Sequence, residues 1–124
     1  MYTEVHSHED LDVWKMSMEI AADVYRLTAE LPPDEKYGLS MQLRRAAVSV
    51  PANIAEGAAR ESSRDFARFV AIARGSLAEL DTELLLCEQL ALLDYPVEMR
   101  VRVKRVRVML SRLRSALRRS RGDV

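Results

Sequence analysis

Cysteine, glycine, proline, histidine and aromatic residues are all scarce in this chain of 124 residues. The single cysteine, Cys87, excludes an intramolecular disulfide framework and suits a reducing compartment. Four glycines and four prolines are too few for a low-complexity or disordered chain. β-Branched and aromatic clusters bounded by turns are scarce as well, so the composition leans to helix. No apolar run approaches the roughly 20 residues that span a bilayer, and the acidic, His-containing start lacks the basic and apolar regions of a signal peptide. A soluble, cytoplasmic protein without membrane attachment is expected.

The same scarcity bears on chemistry. The two histidines, His6 and His8, stand one residue apart with no cysteine or further histidine nearby, too few ligands for a metal site. The Glu-x-x-His pairs of di-iron four-helix proteins are missing, since Thr3 and Val5 stand three residues before the histidines. There is no phosphate-binding Walker loop, dinucleotide fingerprint or nucleophile elbow. Glu79 and Glu83 lie one turn apart and read as a solvated or salt-bridged face. No catalytic residue, cofactor or metal is therefore expected.

What remains is apolar periodicity and charge. With 48% hydrophobic and 31% charged residues, residues 1–124 form one globular domain, able to bury around two-thirds of its unfolded surface. Residues 1–9 show no apolar periodicity and read as a tail, and residues 122–124 as a frayed end. Asp10 or Asp12 can cap a first helix, along which Val13, Met16, Ile20, Val24, Leu27 and Leu31 form one apolar row. A second row, Leu11, Trp14, Met18, Ala21 and Tyr25, covers either another subunit or another part of the same core. Pro32 and Pro33 end this helix.

The second helix spans residues 39–57, with Leu39, Leu43, Ala46, Val50 and Ile54 on its apolar face. Pro51 lies inside the pattern; it lacks a backbone donor and crowds the carbonyl of Ala47, at a cost of roughly 3 kcal/mol. A kink or break near Val50 is predicted, with Gly57 as the C-terminal stop. Asn53 and Glu56 can satisfy groups disturbed there, with Arg45 or Arg60 as the partner of Glu56.

Ser62 and Asp65 have the form of a capping box. From there Phe66, Val70, Ala73, Leu77, Leu80, Leu84, Cys87 and Ala91 step by four and three through a third helix. Cys87 lies on this stripe and reads as core. Gly75 inside the helix costs about 1 kcal/mol against alanine, which suggests a close helix crossing. After a turn at residues 94–96, residues 101–108 (VRVKRVRV) alternate like a strand, but Met99, Val103, Val106, Leu110, Leu113 and Leu117 continue the helical stepping beyond them. A fourth helix is predicted.

Three stretches resemble a known family: residues 11–15 (LDVWK), residues 38–57 (GLSMQLRRAAVSVPANIAEG) and residues 73–86 (ARGSLAELDTELLL). They are similar to the proteins encoded by intervening sequences in bacterial 23S ribosomal RNA genes, a family that also includes the accessory variability determinant of diversity-generating retroelements. Arg45, Asn53, Glu56 and Gly57 match its most recognisable letters, and Pro51 and Gly75 fall within the same stretches. The resemblance implies an all-α, antiparallel up-and-down four-helix bundle and a ring-shaped homopentamer. For the retroelement accessory protein it further implies binding to nucleic acid and to a reverse transcriptase.

Charge supplies the functional lead. Residues 96–124 carry ten Arg or Lys against Glu98 and Asp123, a net +8, while residues 1–95 carry nine basic against seventeen acidic residues, a net −8. On the fourth helix Arg100, Lys104, Arg107, Arg114, Arg118 and Arg121 follow one stripe, with Arg105, Arg112 and Arg119 beside it at intervals of seven. Such a face is a candidate contact for RNA or DNA phosphates. It can equally pair with the acidic third helix or remain solvated, in which case the protein reads as a structural adaptor whose ring docks a protein partner. Membrane-surface attachment lacks a bulky aromatic on the helix's apolar face.

Overall fold

The computed structural model describes residues 8–120, and among these it contains helices and no strand. A short 3-10 turn at His8–Asp10 precedes α1 (Asp12–Thr28), and a second at Pro33–Glu35 leads into α2 (Leu39–Ala58). α3 (Ser63–Gln89) and α4 (Val97–Ser120) complete the chain. The tail expected at residues 1–9 is thus a turn where it is described, with the His8 ring edge-on to Trp14 at 4.9 Å. His6 and residues 122–124 lie outside the described residues.

The apolar rows face one another as their spacing dictates. Val13, Ile20, Val24 and Leu31 from the first row are buried, as are Leu43, Ala46, Val50 and Ile54 of α2. The α3 stripe is buried from Phe66 to Cys87, and Met99, Val103, Val106, Leu110 and Leu117 close the core from α4. Each fully buried large aliphatic or aromatic side chain contributes roughly 1.5–3 kcal/mol of transfer free energy. The alternation at residues 101–108 is therefore helical, with Val103 and Val106 inward and Val101 and Val108 exposed.

α2 packs most extensively on α3, and the pairs α1–α2, α3–α4 and α1–α4 close a four-sided bundle. Cross-helix hydrogen bonds give the register. Arg44 Nε donates to Thr28 Oγ1 at 2.8 Å, the Ser49 and Ser76 hydroxyls share a 2.7 Å bond, and Ser120 Oγ donates to Ser63 Oγ at 3.1 Å. Early residues of one helix thus meet late residues of the next.

Several local expectations are revised. α2 runs as one helix through Pro51, which is itself buried, so no break occurs near Val50. Packing of α2 along α3 compensates the single backbone donor that proline removes. Gly57 lies inside the helix, which ends at Ala58, and its role is contact: a Cβ there would stand 2.8 Å from both Phe66 Cδ1 and Phe69 Cβ. Gly75 marks no crossing, since an added Cβ would meet nothing within 4 Å. Asp12 sits in the first turn of α1 and Leu11 at its N-cap, with no side-chain cap. The Ser62 cap does form, its hydroxyl accepting from the Asp65 N–H at 3.1 Å.

α3 ends at Gln89, two residues before Ala91. Leu92 N–H donates to Cys87 C=O at 2.9 Å and Ala91 N–H to Glu88 C=O at 3.0 Å, the paired bonds of a Schellman stop. Ala91 fills the left-handed position with φ 57, where glycine is usual.

The two glycines separate contact from propensity. Gly57→Ala should lower stability by about 1–3 kcal/mol through overpacking against Phe66 and Phe69. Gly75→Ala should raise it by about 1 kcal/mol, because alanine is the better helix former and nothing crowds it. Urea titrations of the two variants test both signs, and a stabilised Gly57→Ala would remove the contact explanation.

Candidate nucleic-acid interface

A basic helix binds phosphates only with cations its own protein leaves unspent. α4 divides in this respect. Near its start Arg102, half-buried, pairs with Asp23 and reaches Glu19 at 3.7 Å, tying α4 to α1. Arg100 donates to Glu88 Oε1 at 2.8 Å and stacks over the Tyr95 ring at 4.7 Å. Glu88 also accepts from the Tyr95 N–H at 3.2 Å, and the Tyr95 hydroxyl donates to Asp81 Oδ1 at 2.9 Å.

These bonds set the local acidities. The Tyr95 N–H, then Arg100, holds the Glu88 carboxyl below the usual carboxylate range. Burial, reinforced by Asp81, pushes the Tyr95 phenol above its ordinary value. Arg100 is thus placed in a strap between the end of α3 and the start of α4, apart from the other residues of the basic face.

From Lys104 onward no ion pair to a carboxylate forms among the described residues. Lys104, Arg105, Arg107, Arg112, Arg118 and Arg119 are exposed and Arg114 is half-buried, while Arg121 lies outside the described residues. The acidic side chains of α3 are engaged elsewhere or face another way: Glu88 and Asp81 serve the strap, and Glu79 and Glu83 line a cleft of about 410 Å³ beside α2.

Arg107, Arg112 and Arg119 line a cleft of about 610 Å³ with Val108, Ser111, Ser115 and, from α3, Arg74. Arg74 has no place in the basic face that the α4 spacing predicts. It lies on another helix, and its spacing from α4 carries no signal; only the α3–α4 packing brings it in. Its Nε is shielded from solvent and has no hydrogen-bond partner among the described residues.

The polar residues of α2 lie away from this cleft. Asn53 Nδ2 donates to the Ser49 carbonyl at 2.8 Å and to Ser49 Oγ at 2.9 Å, which links it to Ser76 on α3. Glu56 pairs with Arg60 at 3.0 Å. Arg45 shares the α2–α3 cleft with Glu79 and Glu83. A further cleft, about 550 Å³, lies along α2 beside Tyr25 of α1, where Tyr37, Met41 and Val48 give it an apolar surface rimmed by Lys36, Arg44 and Arg45. In the four-sided bundle the α1–α2 face is opposite the α3–α4 face.

The second apolar row of α1 is only partly absorbed by the core. Ala21 is buried and Leu11 and Trp14 are half-buried, whereas Met18 and Tyr25 are each 45% exposed. Cys87 is fully buried, and burial followed by the charges of Glu35 and Glu83 pushes its thiol above the ordinary value. No helix among the described residues is long and apolar enough to cross a membrane, and no group of three or more His, Cys, Asp or Glu there could hold a metal ion.

Residues 9–112 match the model of a family described as 23S rRNA-intervening sequence protein. No curated protein matches the chain.

Glu83 offers a test of the electrostatics. One of its carboxyl oxygens is shielded and unpartnered, and burial, then the charge of Glu79, pushes its pKa above the usual carboxylate range. A raised carboxyl favours folding fully below the unfolded value, and that advantage is lost as pH rises through the folded value. Glu83→Gln should therefore have a higher melting temperature than the parent at pH 7, with the gap closing as pH falls through the raised folded value and gone below about 4.5. Melting curves across this range check it, and a gap independent of pH would assign the effect to packing.

Proposed function

The chain belongs to the 23S rRNA-intervening sequence protein family, and we propose that it is a non-catalytic accessory protein that binds nucleic acid through phosphate contacts along α4. The observation that carries this reading is the division of α4. Arg100 and Arg102 are neutralised by carboxylates, while the cations from Lys104 to Arg119 have no carboxylate partner among the described residues. Guanidinium groups in that state can form bidentate bonds with phosphate oxygens and displace condensed counterions. Binding of this kind is largely indifferent to base sequence.

The reading includes assembly into a homo-oligomeric ring, a pentamer by family resemblance, working in the cytoplasm. Met18 of the second apolar row of α1, 45% exposed, supports an apolar contact between copies. A ring would also repeat the basic face without any new residue.

A second reading is supported by the apolar α1–α2 cleft: an adaptor ring that docks a protein partner, a reverse transcriptase among the candidates, without nucleic acid. The two readings use opposite faces and can be separated. Fluorescence anisotropy with mixed RNA and DNA fragments should show micromolar or tighter binding that weakens steeply with salt. Replacing Arg107, Arg114 and Arg118 with glutamate should abolish it while light scattering reports an unchanged oligomer. Loss of the oligomer instead would make α4 an assembly surface, and absence of binding at low salt would leave the adaptor reading.

A further inference from the structure

The α4 face presents two flanks of cations with hydroxyls between them. Arg107 lies on one flank and Arg112 and Arg119 on the other, while Ser111 and Ser115, one turn apart, occupy the strip between. Arg74 of α3 joins the cleft from the neighbouring helix. From Arg107 to Arg119 the face runs about 18 Å along the helix.

The hydroxyls carry the discriminating chemistry. Ser111 Oγ donates its proton to the Arg107 carbonyl at 3.1 Å, which leaves the oxygen as an acceptor. Phosphodiester oxygens only accept and cannot satisfy it. A ribose 2′-hydroxyl can donate, and it is the group that separates RNA from DNA. The cleft also contains no aromatic side chain on which an unpaired base could stack.

Together these features fit the wide, shallow minor groove of A-form RNA, which displays 2′-hydroxyls and base edges between its two phosphate backbones. The B-form DNA minor groove, about 6 Å wide, is too narrow for a helix of about 10 Å diameter, and the DNA major groove, which admits one, offers no 2′-hydroxyl to Ser111 and Ser115. The geometry points to double-stranded RNA as the ligand of this face, with Ser111 and Ser115 toward the 2′-hydroxyls and Arg74, Arg107, Arg112 and Arg119 toward phosphates of the two strands. This inference rests on the proposed nucleic-acid reading and narrows it to one class.

The test is anisotropy of the full chain with a blunt RNA duplex of about 20 base pairs, the DNA duplex of the same sequence, and the single RNA strand, each over a salt series. The RNA duplex should bind more tightly than either of the others. The double variant Ser111→Ala/Ser115→Ala should lose about three- to tenfold on RNA and little on DNA, with an unchanged salt slope, as expected for removing one net hydrogen bond or so. Arg74→Gln should weaken both duplexes and reduce the slope by about one. Equal affinity for RNA and DNA duplexes, preference for the single strand, or an RNA preference that survives the double variant would overturn the inference and leave the broader proposal standing. No binding to any probe at low salt would end both.

Discussion

The seating of α3 on α2 depends on the missing side chain of Gly57. The connection at residues 59–62 turns the chain back at once, so the end of α2 and the start of α3 must lie against each other. Phe66 and Phe69 occupy the space a β-carbon would need, and Phe66 is almost fully buried there. This close approach anchors the most extensive helix pair, and the rest of the bundle is built from it. The Ser49–Ser76 bond further along has the length of a good hydroxyl pair only because the two backbones already run close. Continuity of α2 through Pro51 follows from the same contact, since a helix packed along its length can lose one backbone donor without unwinding.

A second constraint divides the charges. Folding places the carboxylates of α1 and late α3 beside the first turns of α4, where Asp23, Glu19 and Glu88 neutralise Arg102 and Arg100. Partly exposed pairs of this kind contribute about 1 kcal/mol or less each, so their larger effect is to orient α4 and close its junction with α3. The remainder of α4 runs back along α3 toward Ser63, with Arg74 of α3 beside it. A chain with no net charge thereby presents one strongly positive face, and Arg74 adds to it.

Much of this was legible in the sequence because a helix converts spacing into direction. Steps of three and four placed Val13, Leu43, Phe66, Leu80, Val103 and Leu110 in the core, and Cys87 with them. The cap at Ser62 was equally local, since the hydroxyl and the N–H it accepts lie three residues apart. Gly75 and Gly57 show where local reading stops. Both are glycines in helices, but only Gly57 has another helix against it, and the identity of the residue carries no record of what stands opposite. Ala91 is similar: its left-handed backbone is imposed by the bonds that close α3, against alanine's own preference.

The sequence by itself determined the four helices, their inward faces, the family and the concentration of arginine near the end of the chain, because each of these is a property of residues close together in the chain. Only the tertiary structure decided which arginines are spent and which remain, that Arg74 stands with the α4 cations, that Ser111 and Ser115 lie between them, and that the apolar cleft is on the opposite face. Those facts depend on helices distant in sequence coming within hydrogen-bonding distance. That distance is set by how the cores interlock, which spacing along one helix does not encode.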